Sequence, residues 1–297
     1  MKRILVPVDF SDESAHALRF AGRLAQHHGA TVRLLYADYF VPPVDFAASA
    51  AVEFAITSDE AADAAKKLLI HTAEEHLPAG VAFETRVVID SPVAAIVDEA
   101  RHCGADIVIM GTHGRTGFRR LVVGSVTETV MRMVNLPLIT VSPKTAASRV
   151  TATLSRIVVA VDYTAECREA ILAAASIADA EARMVCVRNV EDCDNPTVAA
   201  AEIRRMQAWT PPEILDRCQY KVLPDDHPAE QVLELAKLVY ANLIATGLTS
   251  KRTTTEVVRG TLSERLVERA DCPVLAVNEM TVTARMTAAP AATAGKS

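Results

Sequence analysis

The feature that most constrains this chain is that it is written twice, because an internal repeat sets both fold and domain count. "RILVPVDFSDESAHALRFAGRLA" from Arg3 returns as "RIVVAVDYTAECREAILAAASIA" from Arg156. Ile4, Val6, Val8 and Asp9 align with Ile157, Val159, Val161 and Asp162 at an offset of 153, read without a gap into "TVRLLYA" against "RMVCVRN". Farther on, "SPVAAIVDEARHCGADIVIMG" from Ser91 pairs with "HPAEQVLELAKLVYANLIATG" from His227, and "LPLITVSP" with "CPVLAVNE", now at an offset of 136. The second copy is therefore 17 residues shorter (153 against 136), and the loss falls between its second strand and its third helix. In a chain of 297 residues this predicts two domains, 1–144 and 155–280. The small, polar stretch "SPKTAASRVTATLS" reads as their linker, and the low-complexity residues 281–297 as a disordered tail.

Each copy alternates short apolar runs with helical patterns. In the first, "RILVPV", "TVRLLYA", "FETRVVI", "ADIVIM" and "LPLITV" are rich in Val and Ile and apolar on both faces, as parallel strands covered on both sides are. Between the first two, Ala17, Leu18, Ala21, Leu24 and Ala25 recur at three- and four-residue steps, which is one helix face. Ser58 and the acids after it read as a helix start. Strand–helix alternation of this kind gives parallel α/β domains with right-handed crossovers. The apolar stretch Tyr39 to Ser58, with Pro42 and Pro43, reads either as a long loop packed on the domain or as a lid beside a site.

Composition excludes several classes. A net charge of −6 provides no basic stripe for nucleic acid. The opening "MKRILVPVDFSD" lacks the apolar stretch of a signal peptide. No apolar run reaches the roughly eighteen residues of a membrane span. Cys103, Cys167, Cys186, Cys193, Cys218 and Cys272 form no CxxC pair and no metal-ligand spacing. The expectation is a cytoplasmic protein with reduced thiols and no bound metal cluster.

Four of the chain's 11 glycines fall in one stretch, "GTHGRTGFRRLVVGS", Gly111 to Ser125. It leaves a predicted strand at the edge where open parallel sheets bind ligands. Glycine admits close approach of backbone N–H groups to an anion. Gly124 then leads into a helix whose free N–H groups and dipole favour phosphate, with Ser125 and Thr127 hydroxyls beside them. Arg115, Arg119 and Arg120 add positive charge, and His113 lies within reach of the same loop. A plainer reading stands beside this one. Ser125 with Glu128 spells a capping box, which any helix start uses, and the glycines serve as turns. Asp9, at the end of the first strand, likewise suits either a ligand or the cap of the next turn. The loop is neither a Walker A sequence nor GxGxxG.

The spacing Gly111-x2-Gly114-x9-Gly124-Ser125, the opening Val8-Asp9 and the closing "PLITVSP" together resemble the universal stress protein family, in its nucleotide-binding branch. The resemblance covers both halves. It implies two tandem Rossmann-like domains, each an open five-stranded parallel sheet of order 3-2-1-4-5 flanked by helices, with ATP, ADP or AMP, with or without magnesium, between the first and fourth strands. Carried over, Pro7 and Asp9 border the adenosine and Ala37 lines the base pocket. Gly111, Thr112, His113, Gly114, Arg115, Thr116 and Gly117 surround the phosphates. Gly124, Ser125, Val126 and Thr127 complete the cradle.

The second copy, "GLTSKRTTTEVVRGT", keeps the length but puts Ser250 where the first has Gly114, followed by Lys251. Asp162, Gly247, Gly260, Thr261 and Ser263 persist, so a weakened or altered second site is expected. No nucleophile elbow or HExxH motif is present, so a nucleotide-responsive stress or signalling module with an unidentified protein partner leads. Slow ATP hydrolysis or self-phosphorylation by an enzyme of the same α/β group, and an interaction scaffold with vestigial loops, remain alternatives. The closing strands "PLITV" and "PVLAV" are apolar edges. The resemblance implies pairing through such strands, so the expectation is a pseudo-dimer of the two halves within one chain, with a homodimer of two chains as the further alternative.

Overall fold

The computed structural model describes residues 1–38, 48–112, 123–147, 153–248 and 261–288, with the side chains of residues 48–59, 146, 147 and 288 outside that description. The first half runs β1 (Arg3–Pro7), α1 (Asp12–His28), β2 (Thr31–Asp38), α2 (Ala48–His76), β3 (Phe83–Ile89), α3 (Pro92–His102), β4 (Ile107–Gly111), α4 (Ser125–Met133) and β5 (Leu138–Val141). A one-turn helix, α5 (Pro143–Ala147), follows. The second half runs β6 (Arg156–Ala160), α6 (Ala165–Ile177), β7 (Arg183–Val190), α7 (Pro196–Trp209), β8 (Cys218–Pro224), α8 (Pro228–Leu238), β9 (Leu243–Gly247), α9 (Leu262–Arg269), β10 (Val274–Val277) and α10 (Glu279–Ala288).

Within each half the strand order is the expected one, β3-β2-β1-β4-β5 and β8-β7-β6-β9-β10, and every pairing inside a half is parallel. The two sheets are not separate. β5 and β10 pair antiparallel, giving one ten-stranded sheet among the described residues. Ile139 lies opposite Leu275, its own counterpart in the repeat, so the halves meet about a pseudo-twofold axis. This pairing covers both apolar edges: β5 and β10 are buried throughout, whereas the outer strands β3 and β8 are partly exposed and carry Glu84, Arg86 and Lys221. Strand alternation divides the core into two layers. Ile4 and Val6 belong to the layer that also holds Leu69 of α2 and Ile171 of α6, while Leu5 belongs to the layer with Ile96 of α3 and Val130 of α4.

Four sequence expectations change. β1 pairs Arg3 with Thr31, and β6 pairs Arg156 with Arg183, so the offset at the second strand is 152 and one residue is missing before it. The reason is the turn: α1 closes on Gly29 in the left-handed region (φ 63°), while α6 ends on extended Ala178. Ser58 is not a helix start, because α2 begins at Ala48 and the Ala-rich sequence offers nothing to break it. Residues 39–47 of the loop-or-lid stretch lie outside the described residues. The linker is partly structural: Thr145 and Leu154 are buried, and Thr145 exchanges hydrogen bonds with Ser142. The tail is helical to Ala288, since Asn278 Oδ1 accepts from Thr281 N–H (2.9 Å) and Oγ1 (3.2 Å), and Arg285 reaches Glu169 at 2.7 Å.

Candidate functional site

β1 and β4 are neighbours in the sheet but lead away in opposite directions, to β2 on one side and β5 on the other. Such a switch point leaves a crevice beyond the strand ends. Here it is a cleft of about 280 Å³. Pro7, Val8 and Asp9 come from β1 and its exit, Ser14 from α1, and Leu35 and Ala37 from β2. Pro92 and Ile96 of α3, Met110 and Gly111 of β4, and Gly124 to Thr127 at the start of α4 complete the wall. The strand and α3 side is mostly apolar and the α4 side is polar. The cleft therefore suits a flat apolar body carrying an anionic group at one end.

Eight of the residues singled out in the first copy line this cleft: Pro7, Asp9, Ala37, Gly111, Gly124, Ser125, Val126 and Thr127. Thr112 sits behind it, 1% exposed, with its carbonyl accepting from Gly124 N–H at 2.8 Å. His113, Gly114, Arg115, Thr116 and Gly117 lie outside the described residues. The other six lining residues, Val8, Ser14, Leu35, Pro92, Ile96 and Met110, are not among the candidate site residues of the sequence. Leu35 and Ala37 share a strand face by their period of two, a signal in the sequence from which Leu35 follows once Ala37 is placed. Ser14, Pro92 and Ile96 reach the cleft only through packing.

Several of these residues have roles that local chemistry alone did not assign. Asp9 Oδ1 accepts from Ser11 N–H (3.1 Å) and Oγ (2.5 Å), holding the turn into α1, and Asp162 holds Thr164 likewise (2.9 and 2.6 Å). The residue between, Phe10 or Tyr163, is forced to a left-handed φ of 62° or 66°. That strain, of order 1–3 kcal/mol, sits at the same point of both halves. Phe10 is held there by Tyr36 (ring centroids 4.8 Å apart), and Tyr163 by Trp209 (5.8 Å) and by its hydroxyl donating to Glu202 (2.5 Å).

Gly111 is glycine because of helix α1: a Cβ there would stand 3.1 Å from Glu13 Cβ and 3.2 Å from its backbone. At Gly247 the same position would meet Cys167 N at 2.6 Å. Thr127 Oγ1 donates to Gly111 O (2.9 Å), and Ser263 Oγ to Gly247 O (2.7 Å), so these hydroxyl protons are committed to the strand end.

The capping box spelled by Ser125 and Glu128 is not built. The N-cap of α4 is Gly124, which has no side chain to offer, and Glu128 pairs with Arg132 at 3.6 Å instead. The first-turn N–H groups of α4 thus receive no side-chain cap, and the residues that bear them line the cleft. In the second half the corresponding box is complete. Thr261 is the N-cap of α9, its hydroxyl accepts from Glu264 N–H (3.3 Å), and Glu264 accepts from Thr261 N–H (2.8 Å). Where the first half has Ala37, the second has Asn189, whose amide donates to Pro224 O (2.7 Å). Ser250, Lys251 and Gly260 lie outside the described residues. Among the described residues no group of His, Cys, Asp and Glu could hold a metal ion, and no helix is long and apolar enough to cross a membrane.

Comparison with known proteins agrees with this architecture. Over 142 residues the chain is 33% identical to universal stress protein MJ0531 of Methanocaldococcus jannaschii, covering 47% of this chain and 81% of that protein. It is 29% identical over 155 residues to universal stress protein MJ0577 of the same organism, covering 48% and 96%. A crystal structure of a universal stress protein from Archaeoglobus fulgidus superposes with a TM-score of 0.66 at 18% identity, spanning 93% of this chain and 98% of that one, which speaks to the fold. The model of the universal stress protein family matches residues 1–142 and again 153–278. The chain belongs to the universal stress protein family and carries its domain twice in tandem.

Proposed function

We propose that the first half binds an adenine nucleotide, ATP or its di- or monophosphate, and that occupancy changes the surface offered to a protein partner. The observation that carries this reading is the start of α4. Its uncapped N–H groups open onto a cleft whose opposite wall is apolar, the combination an adenine base and a phosphate chain require. Pro7, Asp9 and Ala37 border the nucleoside, and Gly124, Ser125 and Val126 meet the phosphates through backbone N–H groups. Thr127 supports the loop, since its hydroxyl proton is already given to Gly111. The loop residues His113 to Gly117 belong to the phosphate end in this reading.

The second half binds nucleotide more weakly. Its helix start is filled by Thr261 and by the carboxylate of Glu264, a negative charge where a phosphate would come. Calorimetric titration of ATP, ADP and AMP into the full chain tests the proposal. One tight event per chain is expected, lost in Gly124→Asp. Absence of any binding, or binding unchanged by that substitution, would overturn it.

A further inference from the structure

The helices α1 and α2 meet in a seam whose two arginines, Arg19 and Arg23, are paired with no acid among the described residues. The contact is close at Gly22, where a Cβ would stand 2.6 Å from Pro78 Cδ and 2.9 Å from Leu77 Cδ2, so a side chain there would push the helices apart. His16, Arg19 and Arg23 form one stripe of α1 at three- and four-residue steps, and His16 and Arg19 lie within electrostatic reach of His76 in the last turn of α2.

Arg19 and Arg23 have no ion-pair partner among the described residues, and His16 Nδ1 and Arg23 Nε are buried without a hydrogen-bond partner. A buried donor left unpaired costs about 1–3 kcal/mol. His76 Nε2 is 4.0 Å from Glu75, a carboxylate whose side chain is 59% exposed. The C-terminus of α2 contributes only about half a negative charge. Burial first, then the Arg19 charge, lowers the pKa of both His16 and His76. Asp12 and Glu13 oppose this at His16; at His76, Glu75 opposes it while His16 and His71 add to it. The same two causes bear on Arg23.

We infer that this seam binds a tetrahedral dianion of the phosphate class, gripped by Arg19 and Arg23 with His16 and His76 at its sides. Guanidinium groups suit such an oxyanion because they donate in pairs. The arriving charge supplies what the four side chains lack, and both imidazoles take up protons as it binds. None of the four lines the nucleotide cleft, so the two sites stand or fall separately.

Without an anion the folded state binds fewer protons at His16 and His76 than the unfolded chain does. Their contribution to stability is therefore present above the ordinary histidine pKa of 6.5 and lost as pH falls through it toward the lowered values. A bound dianion reverses this, so its affinity rises as pH falls through the histidine range. Sulfate is the cleaner probe because it keeps two charges throughout.

The test follows the histidine ring signals of the full chain by NMR, with His16→Gln and His76→Gln assigning them. Sulfate should raise the titration midpoints of His16 and His76 by about half a pH unit or more. Arg19→Gln and Arg23→Gln should each weaken binding about tenfold. Inorganic phosphate and, in the Gly124→Asp background, ATP then tell a free ion from a nucleotide's phosphate, and a response to either supports the site. Midpoints that stay put in sulfate, or that chloride at equal ionic strength moves as far, overturn it, the latter because screening alone then accounts for the change.

Discussion

The helices α4 and α9 are each other's repeat, yet they begin one residue apart. Ser125 corresponds to Thr261, but Ser125 is the first residue of α4, behind a glycine N-cap, whereas Thr261 is itself the N-cap of α9. The consequence is chemical. The second half satisfies its helix start from within, through Thr261 and Glu264. The first leaves its helix start to whatever enters the cleft. A filled helix start and an open one thus occupy the same place in the two halves, and the sheets beneath them have the same strand order.

The comparison breaks most visibly at the strand ends. Gly247→Ala forces a Cβ against Cys167 backbone, while Gly111→Ala meets Glu13 at the edge of contact. The first should cost about 3 kcal/mol and the second about 1 kcal/mol, read as shifts in the denaturant midpoint. Equal costs would mean that the two strand–helix approaches are not as different as their distances.

The pseudo-twofold axis offers the next test. Asn278 donates to Met131 O (2.7 Å) and Val134 O (2.8 Å) at the end of α4, while its counterpart Ser142 donates to Ala270 O at 3.2 Å. Asn278→Ala should cost about 2–3 kcal/mol, because it strips two carbonyls and the Thr281 cap, and Ser142→Ala about 1 kcal/mol. Writing an acid into the open helix start should follow in size. Gly124→Asp is expected to stabilise the fold by a few tenths of a kcal/mol while weakening nucleotide binding at least about tenfold. Calorimetry beside thermal denaturation checks whether the two move in opposite directions. The smallest effect belongs to Arg132, which ties α4 to Glu264 of the other half. Arg132→Ala should cost under about 1 kcal/mol and lose even that in high salt, since both partners are partly exposed.

Much of this was legible in the sequence because it rests on periodicity and repetition. Strand runs such as "FETRVVI" match β3 residue for residue, and the two copies vouch for each other's order. The cleft walls at Pro7 and Ala37 are what the family resemblance implies, and Gly124 stands where the glycine loop leads into a helix. What did not show was which partner a polar side chain chooses. Ser125 and Glu128 spell a capping box that the chain does not make, because Gly124 takes the cap position first. Thr127 and Ser263 read as phosphate donors but spend their protons on the carbonyls of Gly111 and Gly247. Those choices are made by tertiary distances of a few tenths of an ångström, to which residue spacing is blind. The tail and linker misled for a related reason. Their composition is that of loose chain, but Asn278 and Ser142 begin new turns there.

The antiparallel seam between β5 and β10 has a further consequence. Two separate subunits joined at such a seam would part on dilution, and whatever they do together would vary with protein level. Here the partners share one backbone, and the tether keeps them at an effective concentration on the order of millimolar. The joined state is then a property of each molecule, and the two halves are free to diverge without losing each other.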